Sequence, residues 1–170
     1  MKRPEPHEHS PYYENYIKLV DGNDPIKLMI DQLTRTQKLF TEISEDKGGY
    51  SFAEGKWTIK EVLGHIIDTE RVFAYRALSI ARGEKQSLPG FEQEDYARTA
   101  NYNERNLTDI IEEYKLTREA NIALFKSFED KAINRRGIAN NKEITVRAIL
   151  FIIPGHEEHH INIIKSKYLN

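Results

Sequence analysis

Three of the six histidines in this 170-residue chain fall within five positions near its C-terminus: His156, His159 and His160. They follow the apolar run Ala148-Ile149-Leu150-Phe151-Ile152-Ile153. On a helix, His156 and His160 share one face, because residues four apart lie one turn above each other. The apolar stripe there is Val146, Ile149, Ile153, His156, His160, Ile164 and then Lys167 or Tyr168, so both imidazoles face inward. Burying unpaired imidazoles is costly, and a metal ion is the commonest reason for it. The same run spells H-E-x-x-H, the zinc-peptidase helix with Glu157 as general base. That chemistry takes a third ligand from well downstream, and Ile161 to Asn170 contain no His, Asp or Glu. Glu157 also projects about 100° away from His156 around the helix. The peptidase reading is therefore set aside.

A third donor is available upstream. His65 lies on the stripe Val62, His65, Ile66, Thr69, Val72, Phe73 and Arg76 or Ala77. Three imidazoles from two helices, with coordination positions left open, is the pattern of a catalytic zinc site. The same donors suit nickel, iron or manganese. The bland alternative is three hydrogen-bonded core histidines without metal. His159 reads as a ligand, a hydrogen-bond partner or a polar residue beside the seam. Asp68 and Glu61 are candidates to orient His65 through its second nitrogen, or are simply solvated helix charges. His7 and His9 read as solvated residues near the N-terminus.

Four amphipathic helices must position these groups. Residues 1–23 form an irregular arm, broken by Pro4, Pro6 and Pro11 and pinned to the body by Tyr12, Tyr13 and Tyr16. The remaining 24–170 form the body. Asp24-Pro25 starts the first helix, with Ile26, Met29, Ile30, Leu33, Phe40 and Ile43 on one side and Gln37 as a break. The capping box Thr58-Ile59-Lys60-Glu61 starts the second, which stops at Gly83. Residues 83–105 are a long connector, read either as a lid or as a crossover covering the bundle edge. Asn106 or Thr108 caps the third helix, whose inner face is Ile110, Ile111, Tyr114, Ala120 or Asn121, Leu124, Phe125 and Phe128. A polar segment over 130–144 includes a short extended turn, and Thr145 caps the fourth helix over 146–167. Pro154 is expected to kink that helix, and Gly155 to loosen it. If the helices alternate in direction, the second and fourth run parallel. The fold class is all-α, a four-helix bundle with a long crossover between helices two and three.

Composition narrows the function classes. The net charge is −2, which gives no reason to expect nucleic acid as a partner. No apolar run approaches a membrane span of ~20 residues, and the N-terminus has no signal-peptide pattern. Cysteine is absent, so any metal site uses His, Asp or Glu, and a cytoplasmic location fits.

Four stretches together resemble one family. They are Trp57-Thr58-Ile59-Lys60-Glu61-Val62-Leu63-Gly64-His65-Ile66-Ile67-Asp68-Thr69-Glu70-Arg71, then Ala74-Tyr75-Arg76-Ala77 with Ala81-Arg82-Gly83, then Leu88-Pro89-Gly90-Phe91-Glu92-Gln93, and last Gly155-His156-Glu157-Glu158-His159-His160-Ile161. Over roughly residues 24–168 the chain is similar to the DinB-like, YfiT-type superfamily of metal enzymes. The resemblance implies a four-helix bundle with a long crossover, often a homodimer. It implies a divalent metal held by His65, His156 and His160. Characterised relatives include transferases that use the low-molecular-weight thiols bacillithiol or mycothiol, and a maleylpyruvate isomerase. In such chemistry the metal activates the thiol as thiolate. Pro154 departs from the small residue expected before the glycine. The expected function is a metal-dependent transferase joining a thiol to a small-molecule electrophile. The alternatives are a metal-dependent hydrolase and a non-catalytic bundle that binds a metal or a partner protein.

Overall fold

In the computed structural model, which describes residues 1–169, the arm contains one short helix, α1 (Glu14–Ile17), preceded by two 3-10 turns. The last residue of the expected body, Asn170, lies outside the described residues. Helix α2 (Pro25–Thr41) is capped by Asp24, whose Oδ1 accepts from the Lys27 amide at 3.0 Å. A short α3 (Glu45–Gly48) follows. The capping box of α4 (Ile59–Ala81) is complete: Thr58 N–H donates to Glu61 at 2.7 Å, and Glu61 N–H donates to Thr58 Oγ1 at 3.2 Å. Gly83, at φ +95°, lets the chain turn away. The connector carries α5 (Gln93–Thr99), and α6 (Leu107–Lys126) and α7 (Asp130–Ile133) follow. The extended turn is an antiparallel hairpin, β1 (Arg136–Ala139) with β2 (Lys142–Thr145). Asn140 and Asn141 at its tip both have positive φ, 50° and 58°, as a tight type I′ turn requires. Helix α8 (Val146–Ile163), capped by Thr145, is continuous through Pro154 and ends in a π turn, Ile164–Tyr168.

The bundle is α2, α4, α6 and α8, packed in the order α2–α6–α4–α8 around its axis. Contacts at both ends fix the directions. Tyr168 Oη, beyond the end of α8, donates to the carbonyl of Trp57 at 2.7 Å, just before α4. Arg135, just before the hairpin that leads into α8, binds the carbonyl of Ala81 at the end of α4. Helices α4 and α8 are therefore antiparallel, which corrects the alternating arrangement expected from sequence. Leu107 and Ile110 at the start of α6 share an apolar cluster with Leu63 of α4 and Ile161 of α8, whereas Phe125 near its end packs with Ile149 and Phe73. So α6 runs parallel to its neighbour α4. A parallel pair requires a return along the whole bundle, and at 1.5 Å per residue α4 is roughly 35 Å long. That geometry is the reason for the long crossover.

Two inner faces differ from the apolar stripes. On α2 the buried positions are Pro25, Met29, Gln32, Thr36 and Phe40, while Ile30 is exposed. On α6, Arg118 is completely buried. These polar residues belong to one buried layer between the two apolar clusters. Arg118 donates through Nε to both oxygens of Glu70 at 3.0 Å, through Nη1 to Gln32 at 3.1 Å, and through Nη2 to Glu157. Thr36 at 2.6 Å and Tyr114 at 2.9 Å also donate to Glu157. One ion layer thus ties all four long helices together. Among the described residues, no helix is long and apolar enough to cross a membrane.

Candidate metal centre

The start of α4 meets the end of α8 at three imidazoles. His65 Nε2 lies 3.0 Å from His156 Nε2, and His160 Nε2 lies 3.1 Å from the same atom. The three residues form one group whose potential ligand atoms all lie within 4.8 Å of one another. Nitrogens bound tetrahedrally at about 2.0–2.1 Å from a zinc ion sit about 3.3 Å apart, so this cluster is already near a ligand arrangement. Burial keeps the bases neutral. It lowers His65 to about 4 and His160 to about 3, and it holds His156 well below the ordinary value, with neighbouring imidazoles adding to each shift. Neutral imidazoles with convergent lone pairs are the donor set a divalent ion takes.

The rings are held by aromatic neighbours. Trp57 lies against His65 with ring centroids 4.6 Å apart and is stacked near His160 at 6.4 Å. Its indole Nε1 donates to Glu94 at 3.1 Å, which ties it to the crossover. From the other side Tyr16 meets His156 edge-on at 5.3 Å and His159 at 5.4 Å. His159 thus sits beside the seam, outside the convergent group. The orienting partner of His65 is neither Asp68 nor Glu61. Its Nδ1 lies 3.4 Å from Thr69 Oγ1, one turn along α4, while Glu61 completes the capping box. Asp68 is half-buried beside Arg71 and Tyr102. Glu157 points into the ion layer, away from the imidazoles. Burial raises its carboxyl above the ordinary value even though Arg118 opposes the shift.

The arm does more than the sequence suggested. Tyr12 is exposed, whereas Tyr13 and Tyr16 are half-buried. His9, expected in solvent, is buried near Glu14. Gly155 is small for packing reasons: a Cβ there would strike the backbone carbonyl of Tyr16. The Pro154 carbonyl accepts from Gln32 Nε2 at 2.8 Å, which ties α8 to α2 at this point. These inter-segment contacts leave no periodic trace, and only the run of tyrosines near the N-terminus hinted at them.

A cavity of about 400 Å³ opens beside the imidazoles. His65 and His156 form part of its wall, with Tyr13, Phe73, Arg76 and Phe91 around them. Phe91, Glu92 and Gln93 bring the crossover to this wall, so the connector both returns the chain and covers the site.

The sequence profile of the DinB superfamily matches residues 29–164. This chain belongs to the DinB superfamily. A superfamily relative from Oceanobacillus iheyensis, named provisionally as a metal-dependent hydrolase, is 26% identical over 166 residues, covering 91% of this chain and 89% of its own. YfiT from Bacillus subtilis is described as a probable metal-dependent hydrolase with an unusual four-helix bundle topology. It superposes with a TM-score of 0.73 at 15% identity, over 97% of this chain and 90% of its own. The mycothiol-dependent maleylpyruvate isomerase gives 0.65 at 10% identity, over 81% and 58%. At such identities the two structural likenesses establish the shared fold.

Proposed function

We propose that this DinB-superfamily protein is a metal-dependent enzyme acting on a small molecule, with a low-molecular-weight thiol as the nucleophile. His65, His156 and His160 hold a divalent ion, which is zinc, nickel, iron or manganese. The observation that carries this reading is the convergence of three neutral Nε2 atoms beside a cavity. A divalent ion there supplies Lewis acidity that favours the thiolate form of a coordinated thiol. The chain's own groups do the rest. Trp57 and Tyr16 fix the imidazole rings, and Phe73, Phe91 and Tyr13 present an apolar wall that excludes water from the reacting pair.

Two observations favour a thiol over water. Glu157, next to His156 in sequence, is committed to Arg118, Thr36 and Tyr114 and is not free to serve as general base for water. A fold neighbour is also named as mycothiol-dependent. The second reading is hydrolysis. It is supported by the name of the Oceanobacillus relative and by Glu92, a carboxylate on the cavity wall. Turnover of a chromogenic electrophile with a thiol panel including bacillithiol and mycothiol, set against ester and amide hydrolysis, separates the two. The metal assignment is checked by elemental analysis of native protein and of His65→Ala, His156→Ala and His160→Ala. Each substitution is expected to remove most of the bound metal, and full metal content in all three would sink the assignment.

The same reading takes residues 24–170 as the catalytic body with residues 1–23 as its arm, and the protein as a cytoplasmic homodimer that binds no nucleic acid. The lack of cysteine supports the location, and the net charge of −2 supports the last point. Sedimentation velocity at micromolar concentration tests the dimer, which a monomeric boundary would rule out.

A further inference from the structure

Arg76 is a buried cation without an anionic partner. Its residue is 3% exposed, and among the described residues no carboxylate lies within ion-pair distance of it. The other deeply buried arginine, Arg118, has two carboxylates. Arg76 instead donates through Nη2 to the carbonyl of Pro89 at 2.8 Å and meets the phenol of Tyr13, both neutral groups. Its Nε is the one buried side-chain nitrogen or oxygen among the described residues that lacks a hydrogen-bond partner. Two rings flank the guanidinium, Phe73 at 5.0 Å and Phe91 at 5.9 Å. A buried charge left in this state is costly, so such groups are kept where something supplies the counter-charge.

The position of Arg76 says what that something is. His65, Thr69, Phe73 and Arg76 are spaced four, four and three along α4, which places them on one helical face. All four line the cavity that holds His156. That face is therefore a floor with an imidazole at one end and a guanidinium at the other. Eleven residues rise roughly 16 Å, and both side chains lean toward the N-terminus, so the longer arginine head lies on the order of 10–15 Å from the imidazoles. Between them Phe73 and Tyr13 give aromatic surface beside the hydroxyl of Thr69. Lys142, exposed on the same wall, adds a second positive charge, opposed by Glu92.

We propose that the cavity binds a small organic carboxylate, with its anionic end on the Arg76 guanidinium, its apolar or aromatic body between Phe73, Phe91 and Tyr13, and its reactive end at His65 and His156. Arg76 is thus the specificity-determining residue of the site. A planar guanidinium fork matches a carboxylate in charge and shape, and the flanking rings keep it dry. The reactive-end assignment rests on the proposed function. The carboxylate contact does not, so it is tested without metal.

The probes are 3-phenylpropionate and 4-phenylbutyrate, each paired with its uncharged primary amide. Titration calorimetry on chelator-treated full-length protein is expected to give at least roughly tenfold tighter binding of each acid than of its amide. In Arg76→Gln that preference falls to near unity. Equal affinity of acid and amide in native protein, or an unchanged preference in Arg76→Gln, overturns the proposal. A crystal structure of native protein with 3-phenylpropionate decides the matter even if Arg76→Gln does not fold. Carboxylate oxygens within hydrogen-bond distance of the Arg76 guanidinium support the proposal, and a carboxylate bound elsewhere defeats it. If the histidine variants retain metal while the acid preference holds, the metal assignment fails and the carboxylate site stands.

Discussion

His156 and Glu157 are neighbours in sequence, and burial disfavours the charged form of both: it holds the imidazole neutral and raises the carboxyl. One side chain faces the cavity and the other faces Arg118. The H-E-x-x-H reading fails for this reason as well as for its missing downstream ligand. Glu157→Gln is expected to keep the metal stoichiometry of the native protein while lowering unfolding free energy by about 1.5–3 kcal/mol. Urea titration paired with elemental analysis checks this, and loss of metal with unchanged stability would reverse the assignment. His65, His156 and His160 were legible because each interrupts an apolar stripe of period 3.6, which a single sequence displays. Arg118, Gln32 and Thr36 were not. A polar residue on an inner face looks like a break in the stripe until its distant partner is known, and Glu70 lies 48 positions from Arg118.

The long helices were readable from their caps and breakers, since Asp24, Thr58 and Thr145 act within three residues of themselves. Their mutual directions were not readable, because direction is set by contacts between segments far apart in the chain. The arm shows the same limit. It docks through Glu8, which accepts from Thr145 Oγ1 at 2.9 Å and from Arg147 Nε at 3.0 Å. Burial alone would raise the Glu8 carboxyl, but these hydrogen bonds and the Arg147 charge outweigh it, leaving it below its ordinary value of 4.5. The folded pKa is therefore the lower one. Docking is fully favoured above about pH 4.5 and weakens as pH falls through the depressed value. Hydrogen exchange of the arm is expected to be slow at pH 7 in native protein and faster in Glu8→Gln. Equal protection in the two proteins would show that Glu8 does not hold the arm. Because Tyr16 rests on His156, loosening the arm also unroofs one side of the imidazole group.

At the scale of the whole molecule, an ion bound at His65, His156 and His160 would be a ligand of the native state alone, since its donors come from two helices and stand 91 positions apart in the chain. With free metal at 100 times its dissociation constant, such a ligand adds about 2.7 kcal/mol. For a domain of this size, chelation is then expected to lower the melting temperature by about 5–10 °C. Calorimetry with and without chelator measures it, and an unchanged transition would mean that no tightly held ion contributes.

The direction of the helices gives this stabilisation a kinetic character. His65 and His156 are 91 positions apart, and they meet only when the last helix has settled against α4. An ion joining them acts late, after most of the bundle has condensed. It should therefore leave the refolding rate nearly untouched and slow the escape from the native state instead. With such an ion bound, the histidine cluster would work as a latch on a finished structure, and loss of the ion would be felt as shorter survival rather than slower assembly.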